Sequence, residues 1–144
     1  MATLQDLLAH KGHSIVSVRP SDTVQRVASV MNDRNIGGVV VQDGETLSGI
    51  FTERDVLRRV VARGLDPATT TVSTVMTTPV LTCRPEMTVE DCAGLMTTKR
   101  IRHLPVSDGA ALLGIVTIGD LMAHTVGEQQ ATIQHMNNYL FDLR

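Results

Sequence analysis

Aromatic residues are almost missing from this chain: among 144 residues there is no Trp, one Tyr and two Phe. Sites for unpaired nucleic acid stack bases on aromatic platforms, and none can be assembled here. Positive charge is not in surplus either, with 13 Lys and Arg against 15 Asp and Glu and a formal net charge of −2. The basic footprint of a nucleic-acid binder is absent, so no nucleic-acid partner is expected. Cysteine is scarce. Cys83 and Cys92 have neither a Cys-x-x-Cys spacing nor a His cluster nearby, and read as two reduced, partly buried thiols. No apolar run approaches the roughly 18 residues of a membrane span. The first residues, Met1 to Asp6, lack the basic start and apolar stretch of a secretion signal, so a soluble cytoplasmic protein is expected. Catalytic signatures are missing as well: no nucleophile elbow, phosphate loop, zinc-protease helix or dinucleotide glycine fingerprint. His10 and His13 have no third ligand, so no metal site is expected. No catalytic residue and no catalytic cofactor are assigned, and the chain is read as a non-enzyme.

What is present is an internal repeat. Offset by 65 residues, the chain aligns with itself without a gap. Arg19-Pro20 meets Arg84-Pro85, Thr23-Val24 meets Thr88-Val89, and Asp43-Gly44 meets Asp108-Gly109. Gly49-Ile50 meets Gly114-Ile115, while Thr52 and Asp55 meet Thr117 and Asp120. Roughly fifteen of about forty aligned positions are identical, and two copies are too few for a solenoid. Each copy alone buries too little apolar surface for comfortable stability, so the halves are expected to need each other.

Periodicity assigns the elements. Thr3-x-x-Asp6 with Leu4, Leu7 and Leu8 opens a lead helix, and Ile15 to Val18 read as a strand. Val24, Val27, Ala28 and Met31 make one helical face, as do Val89, Cys92, Ala93 and Met96. Val39 to Val41 and Leu47 to Thr52 flank Asp43-Gly44 as a hairpin, repeated around Asp108-Gly109, with helices expected at 53–63 and 118–127. Each repeat is strand–helix–strand–strand–helix, an α/β (α+β) fold of tandem repeats packed with pseudo-twofold symmetry. The boundaries are a lead helix over 1–11, repeats over 12–63 and 76–127, a Thr-rich linker over 64–75, and a helical tail over 128–144. That tail places Ile133, Met136, Leu140 and Leu143 on one side.

Both repeats carry Gly-Ile-hydrophobic-Thr-x-x-Asp, from Gly49 to Asp55 and from Gly114 to Asp120. A buried strand running straight into a helix start presents free N–H groups and the positive end of the helix dipole, which suit a polar or anionic ligand. A carboxylate three residues past the Thr can accept from the two hydroxyls of a ribose. Thr-x-x-Asp is equally a capping box in form, and the residues can serve both purposes.

These paired motifs, the strand–Pro–helix openings and Arg102-His103-Leu104-Pro105-Val106 make the chain resemble a cystathionine-β-synthase (CBS) domain pair, or Bateman module, over about residues 12–125. The resemblance implies two clefts between the repeats for adenosine-containing ligands: AMP, ADP, ATP, S-adenosylmethionine or NAD(H). It implies homodimerisation, a role in signal transduction such as energy sensing, and an unidentified protein effector. Carried onto this sequence, Thr52, Asp55, Thr117 and Asp120 face the ribose. The adenine slots fall to Ile15, Gly37, Gly38 and Val39 in one cleft, and Val80, Leu104 and Pro105 in the other. Arg54, Arg100, Arg102 and His103 are the phosphate candidates, since a guanidinium fork matches phosphate oxygens. Arg100 reads equally as a solvated helix end. Gly37-Gly38 stand where the second repeat has Arg102-His103, so the first cleft should be roomier, and the clefts unequal, one suiting a dinucleotide. Asp55→Ala and Asp120→Ala are expected to weaken binding while leaving the fold intact. A dimerisation scaffold with vestigial clefts is the alternative reading.

Overall fold

The computed structural model describes residues 1–109 and 111–142. Helix α1 (Leu4–Lys11) precedes strand β1 (Ser17–Val18), helix α2 (Val24–Arg34), the hairpin β2 (Gly38–Asp43) and β3 (Thr46–Thr52), and helix α3 (Glu53–Asp55). The chain continues from α3 as a π-helical segment, Val56–Val61, where Ala62 N–H donates to Leu57 O at 2.9 Å. After a 3-10 turn at Val72–Thr74 come α4 (Val89–Lys99), β4 (His103–Ser107), β5 (Leu112–Thr117) and α5 (Ile118–Asp142). The expected α+β repeat is therefore present. The tail is not a separate helix, because α5 runs through 25 residues without a break. Leu143 and the side chain of Leu140 lie outside the described residues.

Local chemistry explains most of the element starts. Thr23 and Thr88 cap α2 and α4, accepting from Arg26 N at 3.2 Å and Asp91 N at 3.1 Å. The Thr3–Asp6 capping box closes in both directions, at 3.0 and 3.3 Å. Asn35 and Arg100, equivalent by the repeat, end their helices in the left-handed region at φ 53° and 55°.

The first repeat forms a three-stranded sheet in the order β1-β2-β3, with β1 parallel to β2, and the second a two-stranded one of β4 and β5. The first strand of the second copy shrinks to one bridge, Cys83 with Val106. Proline is the reason. Val40 N–H donates to Val16 O at 3.3 Å in the first sheet, but the equivalent residue is Pro105, which has no N–H to donate. In the first copy the strand is also shorter than expected, since Ile15 and Val16 stay outside it.

Two apolar cores form. One gathers Val18, Val24, Val27, Met31, Val39, Val41, Phe51 and Val60 with Val72 and Val75 from the Thr-rich segment. The other gathers Cys83, Val89, Cys92, Met96, Leu104, Val106, Val116 and Leu121 with Leu4, Leu7 and Leu8 of α1. The segment before the first repeat thus completes the core of the second. The correspondence extends to single bonds. Val72 N donates to Asp22 O and Val24 N to Thr70 O; Leu4 N donates to Met87 O and Val89 N to Ala2 O, all at 2.8–3.0 Å. Residues 2–8 and 70–76 are equivalent caps on opposite halves, offset by three residues from the 65-residue register.

The motif glycines are explained by these caps. A Cβ on Gly114 would stand 2.8 Å from Leu8 Cδ2, and one on Gly49 would collide with the Met76 side chain and lie 3.1 Å from Thr77 O. The exposed apolar surface is also repeated: Leu57 and Val61 on the first copy, Met122 and Val126 at the equivalent positions of α5, at 49–64% exposure.

Candidate ligand clefts at the repeat seam

The end of β3 and start of α3 face Ile101, Arg102 and His103 of the second repeat across a cleft of about 520 Å³. Thr52, Glu53, Arg54, Asp55, Leu57 and Arg58 line one side, with Gly37, Ile50 and Thr77 completing the wall. This volume falls in the range of small-molecule sites. Three guanidinium-bearing residues outnumber the carboxylates of Glu53 and Asp55, and with a histidine and apolar walls they suit an anion with a flat or apolar body.

Asp55 is the buried charged residue of the described chain, 6% exposed. Its Oδ2 accepts from Thr52 N at 3.0 Å and lies 3.4 Å from Thr52 Oγ1, while Oδ1 accepts from Thr77 Oγ1 at 3.0 Å and faces Arg59 Nε at 3.6 Å. Thr77 also ties the seam through its backbone, exchanging bonds of 3.0 and 2.8 Å with Ile50. Asp55 is therefore a structural anchor as well as a cleft residue. That corrects the expectation that its removal leaves the fold untouched. Arg59, one helical turn on, also donates to Met76 O at 2.8 Å.

Of the phosphate candidates, Arg54, Arg102 and His103 meet at this one cleft. Arg54 Nη1 donates to Arg100 O at 2.7 Å, bracing the first repeat against the end of α4. Arg100 itself is exposed and is not part of the lining, so its contribution is this carbonyl. His103 crosses the seam. A Cβ on Gly38 would be 3.0 Å from His103 Cδ2, and one on Gly37 3.4 Å from His103 Cε1. The space that Gly37-Gly38 create thus admits the imidazole of the other repeat, which corrects the expectation that the first cleft simply gains room. Burial holds the His103 pKa below its ordinary value, against the pull of Glu53 and Asp120 and together with the push of Lys11 and Arg102.

The second motif has a different anchor. Thr117 N donates to Asp120 Oδ2 at 2.8 Å and Asp120 N to Thr117 Oγ1 at 3.2 Å, a closed capping box. Lys11 Nζ, at the end of α1, lies 2.6 Å from the same Oδ2 and 2.6 Å from Ile115 O. The side chain of Asp120 is 22% exposed, against 8% for Asp55.

The adenine-slot candidates do not all reach open space. Val39 and Leu104 point into the two cores, 1% and 0% exposed, because strand alternation turns them inward. Pro105 is buried and offers its carbonyl to Cys83 N at 2.9 Å. Ile15 and Val80 are half-buried and stand outside the 520 Å³ cleft. The apolar wall comes instead from Ile50, Leu57 and Ile101. Sequence reasoning missed Thr77, Arg58, Arg59 and Lys11. The Asp55–Arg59 spacing of four residues was a usable signal, whereas Lys11 and Thr77 arrive through long-range packing. Among the described residues no group of three or more His, Cys, Asp and Glu is placed to hold a metal ion. No helix among them is long and apolar enough to cross a membrane.

Comparison with known proteins agrees with this geometry. The CBS domain family description matches residues 3–62 and 72–127. The CBS domain-containing protein YhcV of Bacillus subtilis is 34% identical over 142 residues, covering 95% of this chain and 99% of its own. The mitochondrial CBS domain-containing protein CBSX3 of Arabidopsis thaliana is 36% identical over 147 residues, covering 96% and 71%. Among solved structures, a candidate signal-transduction protein with CBS domains from Burkholderia ambifaria superposes with a TM-score of 0.84 at 37% identity, covering 90% of this chain and 96% of that one. A hexameric CBS-CP12 protein from bloom-forming cyanobacteria gives 0.75 at 32%, covering 85% and 70%. Two matched repeats, each with its own cap, core and Thr-x-x-Asp turn at a shared seam, make this chain a member of the CBS domain family.

Proposed function

We propose that the chain is a non-catalytic regulatory module that takes an adenosine-containing nucleotide, AMP, ADP, ATP or NAD(H), at the seam between its repeats. The observation that carries this reading is the 520 Å³ cleft, where Asp55 and Thr52 meet Arg54, Arg58, Arg102 and His103 across apolar Ile50 and Ile101. In this reading a ribose hydroxyl takes over the bond that Thr77 Oγ1 makes to Asp55, one hydroxyl replacing another. The phosphates lie toward the guanidinium groups of both repeats. Because the lining comes from both halves, ligand favours one relative setting of the repeats, to the extent of its differential affinity for the two settings. The clefts are unequal: one carboxylate is buried against Thr77 and Arg59, the other is partly exposed and paired with Lys11. The relative described as a signal-transduction protein supports a regulatory role.

A second reading, a self-associating scaffold, rests on exposed apolar residues. Leu57, which also lines the cleft, and Val61 recur as Met122 and Val126 at the equivalent positions of the other half, suited to pairing with a second copy. The hexameric relative is in keeping with self-association. Thermal unfolding with a panel of adenine nucleotides tests the first reading. A ligand present at about a hundred times its Kd stabilises by about 2.7 kcal/mol and raises the midpoint visibly. No shift with any member of the panel leaves the scaffold.

A further inference from the structure

We propose that the outer part of α5 is one strand of a parallel two-stranded coiled coil, its partner the same helix of a second copy of this chain. The inference deepens the self-association reading above and rests on it for the occupant. Leu121, at 3% exposure, is the last residue of α5 that the core buries among the described side chains. Every residue from Thr125 to Asn138 is exposed, yet the helix runs on to Asp142. About 27 Å of helix therefore has no covering from its own chain.

The residues of this stretch do little to hold a helix by themselves. Thr125, Gly127, Thr132, Asn137 and Asn138 are poor helix formers. An isolated helix of this length is marginal in water even with better ones, and most helical stability comes from packing of an apolar face.

The spacing of the apolar residues says what that face packs against. The large apolar residues between 122 and 138 are Met122, Val126, Ile133 and Met136, 49–63% exposed. With Gln129 they keep alternating steps of four and three residues, and in the sequence the steps continue through Leu140 to Leu143. A strict 3.5-residue repeat stays on one side of a helix only when that helix supercoils around another. Helix α2, which packs on its own sheet, shows the wider face instead, with Val27 and Ala28 adjacent.

Chemistry along the seam selects an identical helix in parallel. Val126 and Ile133 take the positions at which β-branched side chains favour two parallel strands. The residues flanking the seam, Ala123, Thr125, Gln130, Thr132 and Asn137, carry no charge. A second copy thus meets no like-charge repulsion, and a different partner finds no charge pattern to recognise. Gln129 interrupts the seam once. In exact parallel register it meets its own copy, and the two amides bond to each other, each having donors and an acceptor.

Disulfide exchange in the full chain tests this, with Ile133→Cys and Gln134→Cys compared in a glutathione redox buffer. Residue 133 faces its copy across the proposed seam, so Ile133→Cys should run mostly as a linked dimer on non-reducing gels. Gln134→Cys, turned outward, should stay unlinked. Cys83 and Cys92 are buried and take no part. Ile133→Lys sets two like charges face to face, and sedimentation should show self-association weakened by about ten- to a hundredfold. A dimer in which neither cysteine links, or both link alike, overturns the parallel seam and leaves self-association standing. Ile133→Lys that pairs as tightly as wild type does the same; if that variant fails to fold, the cysteine pair decides alone. Wild type that stays monomeric overturns the self-association reading and this inference together.

Discussion

Replacing Asp55 with Ala removes the acceptor for Thr52 N and Thr77 Oγ1, each at 3.0 Å, and the anion 3.6 Å from Arg59, at a residue 6% exposed. A buried donor left without a partner costs about 1–3 kcal/mol. The losses do not add in full. The Thr77 hydroxyl can rotate to another acceptor, and Arg59 keeps its bond to Met76 O. The expected destabilisation is therefore about 2–4 kcal/mol. What sets it apart from Asp120, whose loss frees the equivalent Thr117 amide, is the buried contact with Thr77 and Arg59. Asp120→Ala should cost less. It deletes a helix cap, typically about 1 kcal/mol, and an ion pair whose partners are 31% and 22% exposed, worth well under 1 kcal/mol after solvent screening. For a chain of this size, about 1 kcal/mol corresponds to about 2–4 °C in Tm. Asp55→Ala should thus melt about 4–16 °C below wild type and Asp120→Ala about 2–6 °C below, with urea titrations followed by circular dichroism giving the free energies. Asp55→Asn, which preserves the shape and one acceptor, should fall between. If the two Ala variants lose equal stability, or Asp55→Ala melts with wild type, the structural role given to Asp55 is wrong. The outcome also sets how binding data are read, since a weaker nucleotide response in Asp55→Ala counts only below its own melting range.

The remaining expectations come from the same geometry. Gly49→Ala should destabilise by about 1–3 kcal/mol, because the added Cβ meets the Met76 side chain and the backbone at Thr77; a neutral result in urea denaturation would mean that the cap can move aside. Leu8→Ala, at a residue 1% exposed, should cost about 2–5 kcal/mol, whereas Leu57→Ala, 62% exposed, should leave monomer stability nearly unchanged and instead weaken self-association in sedimentation. Because burial lowers the His103 pKa in the folded chain, the unfolded chain takes up its proton first as pH falls. That stability is complete above about pH 6.5 and declines below it until the folded value is passed; His103→Gln should flatten this part of the pH profile, and an unchanged profile would contradict the burial argument. Cys83 and Cys92 are both buried, and desolvation, with Cys83 adding a smaller push, drives Cys92 up to about 11. A thiol reagent should therefore modify the native chain no faster than it unfolds, and rapid labelling at pH 7 would be incompatible with that packing.

The repeat was legible because its signals are local. Thr-x-x-Asp, the apolar spacings of α2 and α4 and the Asp-Gly turns each act over a few residues, and both copies keep them in register. What escaped was set by contacts between residues far apart in the chain. The 65-residue alignment stops at Arg19 and Arg84, and upstream of it the equivalent caps stand three residues out of step, with Leu4 and Leu8 where the other cap has Val72 and Met76. A gapless comparison therefore read one cap as a lead helix and the other as a linker, although the two perform the same work on opposite halves. Lys11 and Thr77 were missed for the same reason, since each lies on a cap and approaches its Asp only through the packing of that cap. Local repetition thus located the two turns, and the caps determine what each carboxylate faces. The difference between the two turns follows from that: a threonine hydroxyl and Arg59 at one, a lysine ammonium at the other, with His103 of the second repeat filling space left by two glycines of the first. Asymmetry between the sites is therefore better sought in residues 2–11 and 70–77 than in the matched motifs, and substitutions exchanged between those two segments should alter the relative affinities of the clefts while leaving both Thr-x-x-Asp turns in place.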